Sequence, residues 1–324
     1  MAVAFRRIQI GKEATRGTGV AATSKLIGTM RATPQKKWHR PAEDRNSLSE
    51  FRRQALIGQR CRLAFEGDAT YEQIIAFLLM GIKGAVTPTT PVGTVRLWTF
   101  TPNYATANAP DTYTFEWGDD TQEYEATFCM VESIELTWSE DSPVTMRVNM
   151  FGRFPSKSSF TGALSETSVE EVVANKLKVY IDGAWANLGT TQKSSLVTGG
   201  TIRITTGYVP TKYADGSQDF SSYQEQKRHV EIELDMVTST AFNTEYDAWV
   251  AGTLRAIRLQ FDGTTIEGAH DKYLRVDVIG KYDVEPDMFE DVNGDNVVKL
   301  KLVSMTDGTN EFSFEVKNAV TAAP

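Results

Sequence analysis

The chain has 324 residues, of which 41% are apolar and 23% charged, a composition that is typical of a packed globular protein and excludes a disordered one. No apolar run approaches the roughly 20 residues that a membrane-spanning helix needs, and the N-terminal MAVAFRRIQIGKEATRG lacks the apolar core of a secretory signal peptide. The formal net charge is −8, but residues 1–62 hold 14 of the 34 basic side chains and only 4 of the 42 acidic ones. This asymmetry predicts an electrostatic partner for the N-terminal region, either nucleic acid or the acidic part of another copy.

Most segments alternate apolar and polar residues with the period of a β-strand. The runs 131–138 and 144–150 flank the turn sequence SEDSP and predict a hairpin, and 273–286 and 297–305 predict a second hairpin around DVNGDN. The sequence therefore predicts a mainly β fold.

Two segments have helical spacing instead. The spacing of apolar residues in 69–84 predicts a helix with Asp68 as its N-cap, and 238–253 predicts another, capped by Ser239 or Thr240 and stopped by Gly252. Each helix precedes one of the two hairpins.

The order of strand, strand, long loop, strand, helix and hairpin occurs twice, which predicts a tandem repeat. The predicted domains are residues 1–154 and 176–324, joined by a linker rich in Ser and Thr at 155–175. Residues 85–123 are an insertion in the first copy. The long loops, 35–58 and 207–227, are rich in aromatic and charged residues, so we expect them to reach a neighbouring molecule.

The residues that usually carry chemistry are scarce. Cys61 and Cys129 are far apart and in no CxxC pair, which predicts two reduced thiols in strands. The three histidines lie in no metal-binding motif. GTGVAA at 17–22 lacks the strand and helix of a dinucleotide site, and DVNGDN at 291–296 lacks the later ligands of a calcium loop. We therefore expect no catalytic residue, metal or cofactor, and no enzyme activity.

Two charged segments are candidates for functional surfaces. One face of the run HVEIELDM carries three carboxylates, those of Glu231, Glu233 and Asp235. A solvated sheet face would also explain them, but they could line an acidic surface past which a polyanion moves without binding. In the first long loop, basic residues flank a tryptophan, a combination that can bind nucleic acid. Because the patch is short and the protein is acidic overall, we favour a protein partner and predict the contact at Lys36, Lys37, Trp38, Arg52 and Arg53.

The chain resembles the major tail tube protein of long-tailed, non-contractile bacteriophages. The resemblance rests on FRRIQIGKEATRGTG (5–19), on VYIDGAWANLGTTQ (179–192), and on the closing segments LRVDVIGKYDVEP and NVVKLKLVSM. It runs along nearly the whole chain as a similarity of pattern and layout.

The resemblance implies two tandem β-sandwich domains, each with one flanking helix and a long loop that reaches the next ring. Because two tube domains are fused, it implies trimeric rings with pseudo-sixfold symmetry, stacked head to tail into a hollow conduit for DNA ejection. The implied partners are further copies of the chain, a tape measure protein, and tail terminator and distal tail proteins. Double-stranded DNA would pass without specific binding. The implied location is the virion tail, assembled in the host cytoplasm without membrane insertion. The acidic residues 231–235 would then line the lumen, and the basic loop residues would contact the next ring.

Two alternatives remain at this stage. One is a distal tail or hub-like component with the same fold. The other is a two-domain β-sandwich module that binds a carbohydrate or host surface, with a site built from aromatic residues of the insertion, Trp98, Tyr104, Tyr113 and Trp117.

Overall fold

Strands of alternating apolar and polar residues dominate the computed structural model, which describes residues 5–283, 290–292 and 294–324. The first half of the chain contributes β1 (Arg7–Lys12), β2 (Ser24–Leu26), β3 (Thr29–His39), β4 (Ala55–Asp68), α1 (Ile74–Gly81), β5 (Arg96–Phe100), β6 (Tyr113–Gly118), β7 (Glu123–Ser139), β8 (Thr145–Gly152) and β9 (Ser156–Ser158). The second half contributes β10 (Leu177–Asp182), β11 (Val197–Thr205), β12 (Tyr208–Thr211), β13 (Ser222–Glu225), β14 (His229–Val237), α2 (Thr240–Ala251), β15 (Arg255–Glu267), β16 (His270–Tyr282), β17 (Glu290–Val292), β18 (Asp295–Ser304) and β19 (Phe312–Asn318). The prediction of a mainly β fold is confirmed.

The same order of antiparallel pairing occurs in both halves. In the first half the strands pair in the order β1, β6, β7, β8, β4 and β3. In the second half the order is β10, β15, β16, β18, β14 and β11. Each strand of the first series thus has a counterpart in the second.

The two halves join edge to edge. β7 pairs with β8 on one edge and with β11 on the other, in a register that places Glu135 opposite Arg203. The result is one sheet with the order β3, β4, β8, β7, β11, β14 and β18, which crosses from the first half into the second.

The core lies under this sheet. Along β14 the apolar side chains of Val230, Ile232, Leu234 and Met236 are fully buried, while the alternating polar ones are partly exposed. β8 shows the same alternation. This is the pattern of a sheet with one face on the core and one in solvent.

The predicted hairpin at 131–150 is confirmed, with Leu136 opposite Met146 and Ile134 opposite Val148. In the second predicted hairpin, β16 and β18 pair only over 280–282 and 302–304. The end of the predicted first strand, 284–286, and Asn293 of the predicted turn lie outside the described residues.

Both predicted helices form. α2 begins after Ser239, whose side chain accepts a hydrogen bond from the Phe242 backbone N–H, and ends at Gly252 in the left-handed conformation, as expected. The prediction of Asp68 as N-cap is wrong, because Asp68 ends β4 and α1 starts only at Ile74. The intervening turn is closed instead by Thr70, whose hydroxyl accepts from the Gln73 N–H at 3.1 Å.

The segment 155–175, predicted as a linker, contacts both halves. β9 pairs with the start of β7, and Val172 is buried. Glu170 accepts hydrogen bonds from Thr264 in β15 and lies 3.1 Å from the Lys272 ammonium in β16.

The segment 85–123 is not a single insertion. Its last part forms β6, which occupies in the first half the place that β15 occupies in the second. Its middle part forms β5, which crosses over and pairs with β19 of the second half. Hydrophobic burial explains the crossing, since Trp98 and Phe100 of β5 are 1% and 0% exposed.

Candidate functional site: the charged sheet face and the hairpin arm

The solvent face of the seven-stranded sheet carries a row of alternating charges. The register places Glu66, Arg147, Glu135, Arg203 and Glu231 side by side on β4, β8, β7, β11 and β14. Opposite charges therefore face each other at every step of the row, an arrangement that stabilises neighbouring strands.

Ion pairs join neighbouring strands along this face. Arg147 Nε lies 3.2 Å from Glu66 Oε1, Arg203 Nε lies 2.7 Å from Glu135 Oε2, and Lys301 Nζ lies 2.9 Å from Glu231 Oε1. The Arg203 pair spans the junction between the two halves, and hydrogen bonding to Glu135 raises the pKa of the Arg203 guanidinium. All three pairs are partly exposed, so we expect each to contribute at most about 1 kcal/mol to stability.

The predicted lumen residues Glu231, Glu233 and Asp235 lie together on the partly exposed face of β14. The register places Glu233 opposite Lys301 and Asp235 opposite Lys299. The carboxylates therefore alternate with cations, and the acidic strand is part of a mixed-charge face. Their role as a lumen lining stays a prediction.

The predicted contact residues lie on one projecting hairpin, which we call the arm and define as residues 34–60, the ends of β3 and β4 with their connection. Lys36, Lys37 and Trp38 pair through their backbones with Gln59, Gly58 and Leu56. Arg52 and Arg53 lie in the connection between the strands and are exposed. The structure thus brings the five residues onto one arm, and their contact with another copy stays a prediction.

The arm also presents apolar side chains to solvent. Trp38, Phe51 and Ile57 are 41%, 41% and 45% exposed, and Leu48 is fully exposed. The sequence prediction included Trp38 but not Leu48, Phe51 or Ile57. The signal was present, because Leu48 and Phe51 interrupt a polar stretch that has no strand or helix period.

The second long loop does not reach outwards as expected. It forms the small sheet of β12 and β13 and packs on the first half, where Tyr208 and Phe220 are buried against Phe128 and Phe151. Its backbone also supports the base of the arm, since Gln59 N–H donates to the Gln218 carbonyl at 2.9 Å. Aromatic burial within the chain overrides the projecting loop that its polar composition suggests.

Two of the four aromatic residues proposed for a carbohydrate site are buried, and Trp117 is half-buried. Trp98 and Tyr113 are 1% and 0% exposed, and the Trp98 indole N–H donates to the Val320 carbonyl at 3.2 Å. Tyr104 is 45% exposed, but its hydroxyl accepts a hydrogen bond from the Phe312 backbone. Trp98 and Tyr104 thus attach the 85–123 segment to the C-terminal part of the chain.

Both thiols lie in strands and are fully buried. Burial raises the pKa of Cys61 to about 12 and that of Cys129 well above its usual value, so both are protonated and unreactive at neutral pH. Within residues 5–283, 290–292 and 294–324, no group of His, Cys, Asp and Glu side chains is arranged to hold a metal ion. No helix in the described part of the chain is long and apolar enough to cross a bilayer.

Sequence reasoning missed the Arg203–Glu135 junction. Each residue occupies a polar position of an alternating strand, which predicts exposure but gives no information about the strand opposite. Only the antiparallel register of β7 and β11 brings the two together.

Comparison with known proteins agrees with the fold. A comparison with curated proteins finds no match. A family model described as phage tail tube protein matches residues 6–316, nearly the whole chain. The chain therefore belongs to the phage tail tube protein family, as a structural component of the tail.

Proposed function

We propose that three copies of the chain close into a ring with pseudo-sixfold symmetry, and that rings stack into a conduit for DNA. The observation that carries the proposal is the junction of β7 and β11, which continues one sheet from the first half into the second. Two similar halves joined edge to edge form one third of a six-unit ring. Repetition of that junction between copies would complete a closed barrel without unpaired strand edges.

The mixed-charge sheet face is suited to line such a conduit. A free arginine binds DNA phosphates, and several together retain the duplex. Here Arg147, Arg203 and Lys301 are each paired with a carboxylate, and Glu233 and Asp235 add negative charge. A polyanion would therefore find little net attraction on the part of this face formed by β8, β7, β11, β14 and β18.

The arm is suited to connect one ring to the next. Residues 36–53 contain six basic and three acidic side chains together with the exposed apolar residues. Basic and apolar side chains on a projecting hairpin would bind an acidic surface of a neighbouring ring. We include as partners a tape measure protein and tail terminator and distal tail proteins, with the virion tail as location and the host cytoplasm as the place of assembly.

Negative-stain electron microscopy and native mass spectrometry of the purified protein test this proposal. We expect rings or hollow tubes with sixfold-looking projections and a ring mass of three 36.0 kDa chains. Rings of six chains would contradict the trimer. A chain that stays monomeric at high concentration, and also in the presence of the other tail proteins, would contradict ring formation.

A further inference from the structure

The large sheet, which continues from β18 to the end of β16, has an open edge at each of its two ends. β3 pairs with β4, and no strand of the described residues pairs with its other edge. At the opposite end of the sheet, the pairing of β16 with β15 extends only as far as Gly280. Residues 281–283 therefore have β18 on one edge, and no strand of the described part of the chain lies on the other. An open edge presents unpaired N–H and C=O groups that favour a further strand.

The junction inside the chain shows how two such edges pair. β11 is the counterpart of β3, and β7 is the counterpart of β16. In that junction Arg203 of β11 lies opposite Glu135 of β7, and the two side chains form an ion pair of 2.7 Å.

The register identifies the counterpart of Arg203. In β3 and β4, Thr29 lies opposite Glu66, and in β11 and β14, Thr201 lies opposite Glu233. The sequences Thr29-Met30-Arg31 and Thr201-Ile202-Arg203 match residue by residue. Arg31 therefore occupies the place of Arg203.

The register also identifies the counterpart of Glu135. Glu66 lies opposite Arg147, which lies opposite Glu135. In the second half, Glu233 is the counterpart of Glu66, and it lies opposite Lys301, the counterpart of Arg147. The Lys301 carbonyl in turn accepts a hydrogen bond of 3.0 Å from the Asp283 N–H. Asp283 therefore takes the place of Glu135, and the sign of the charge is the same at every counterpart.

Neither Arg31 nor Asp283 has an ion-pair partner among the described residues, and both are exposed. Their counterparts Arg203 and Glu135 neutralise each other inside the chain. Each copy thus offers one unpaired member of the pair at either end of its sheet.

From this pairing, which rests on the ring proposed above, we infer that β3 of one copy lies beside residues 281–283 of the next, with Arg31 opposite Asp283 of the partner copy. The contact between copies repeats the contact between halves in strand direction, register and charge. It adds Arg31 of the partner copy to the alternating charges of Glu233, Lys301 and Asp283.

Disulfide trapping tests this register. Residues directly opposite in an antiparallel pair have Cα atoms about 4.5–5.5 Å apart, within the range that a disulfide spans. In the variant Arg31→Cys/Asp283→Cys we expect oxidation to link chains, with covalent dimers and trimers on a denaturing gel. Arg203→Cys/Glu135→Cys is the matched control, in which we expect a bond within one chain. The native cysteines, Cys61 and Cys129, are buried, and oxidised wild type measures how much interchain disulfide they form by themselves.

The outcomes separate this inference from the proposed function. If wild type and the Arg31→Cys/Asp283→Cys variant both form rings but the variant forms no interchain disulfide, the proposed register is wrong and the proposed ring stands. Wild type that forms no ring under any assembly condition overturns both. Interchain bonds in the double variant, and in neither single cysteine variant, support the register.

Charge exchange gives an independent readout. Arg31→Glu or Asp283→Arg places like charges opposite each other, and we expect each to reduce the ring fraction at least tenfold at low salt. Arg31→Glu/Asp283→Arg restores opposite charges, so we expect ring formation to recover. A double variant as defective as the single ones would overturn the pairing. Arg62→Glu, an exposed reversal on the neighbouring strand, is the control.

Discussion

The Glu13 carboxylate accepts a hydrogen bond of 2.7 Å from the backbone N–H of Phe128, which has a left-handed φ of 56°. A bulky residue rarely adopts this conformation, and it does so here where β7 passes from its pairing with β6 to its pairing with β8. Glu13 also accepts from Gly17 N–H and from the hydroxyls of Thr112 and Thr114. The buried Glu13 carboxylate thus stabilises the bend at which β7 changes from pairing with β6 to pairing with β8.

We expect Glu13→Ala to destabilise the chain by about 3 kcal/mol or more, because four donors around the site would lose their acceptor and at least two of them are buried. The decrease should appear as a lower midpoint of urea denaturation. Glu13→Gln keeps one acceptor oxygen, so its midpoint should lie between wild type and Glu13→Ala. Equal midpoints for wild type and Glu13→Ala would show that water replaces the carboxylate.

Loss of the fully buried Glu245 carboxylate on α2 should also destabilise the chain strongly. It accepts two hydrogen bonds from Arg255, at 2.6 and 2.8 Å, and lies 3.2 Å from the Lys193 ammonium. We expect Glu245→Ala to cost about 3–5 kcal/mol, since it leaves a largely buried guanidinium without its partner. The exposed Asp247→Ala on the same helix is the matched control and should stay within about 0.5 kcal/mol of wild type. A similar effect of both variants would point to the helix itself and not to the ion pair.

Acid should weaken the contact of the 155–175 segment with the second half. Burial raises the pKa of Glu170, but hydrogen bonds from Thr264 and Lys272 outweigh it, so the pKa lies below the ordinary 4.5. A lowered pKa in the folded state gives stability that is present above pH 4.5 and is lost as the pH falls through the folded value.

We therefore expect Glu170→Gln to be less stable than wild type at pH 7, with the difference shrinking below about pH 4. Urea denaturation at pH 7 and pH 3.5 measures it. Glu171→Gln, an exposed neighbour, should show no such convergence. A difference between Glu170→Gln and wild type that is the same at both pH values would contradict the assignment.

Charge reversal on the arm should separate folding from stacking. Lys36, Lys37, Arg52 and Arg53 are exposed, so we expect their joint replacement by Glu to leave the circular dichroism spectrum and ring formation unchanged. Stacking into tubes should be lost, because the arm would repel an acidic neighbour. Electron microscopy distinguishes single rings from tubes. Replacement of the exposed Lys157 and Lys176 by Glu is the control. If the arm variant forms tubes as long as those of wild type, the apolar residues of the arm are sufficient for stacking.

The sequence by itself determined the local structure. Alternation in 131–138 and 144–150 specified both the hairpin and its buried face, because a strand shows its two faces in turn. Gly252 specified the end of α2, and Ser239 and Thr240 limited its start to two positions, since cap interactions form between residues close in sequence. The basic residues at 36–37 and 52–53 could be assigned to one loop because few residues separate them.

Only the tertiary structure decided which elements meet. Periodicity indicates that one face of a strand is buried, but it does not indicate which strand lies beside it. For this reason the sequence did not predict the Arg203–Glu135 junction or the crossing of β5 to β19. It also did not predict that Tyr208 and Phe220 pack on the first half. Asp68 was mistaken for a cap because pairing with β8 extends β4 through it. Such pairings join residues about 70 to 220 positions apart, where no local signal reaches and the burial of whole surfaces selects the partner.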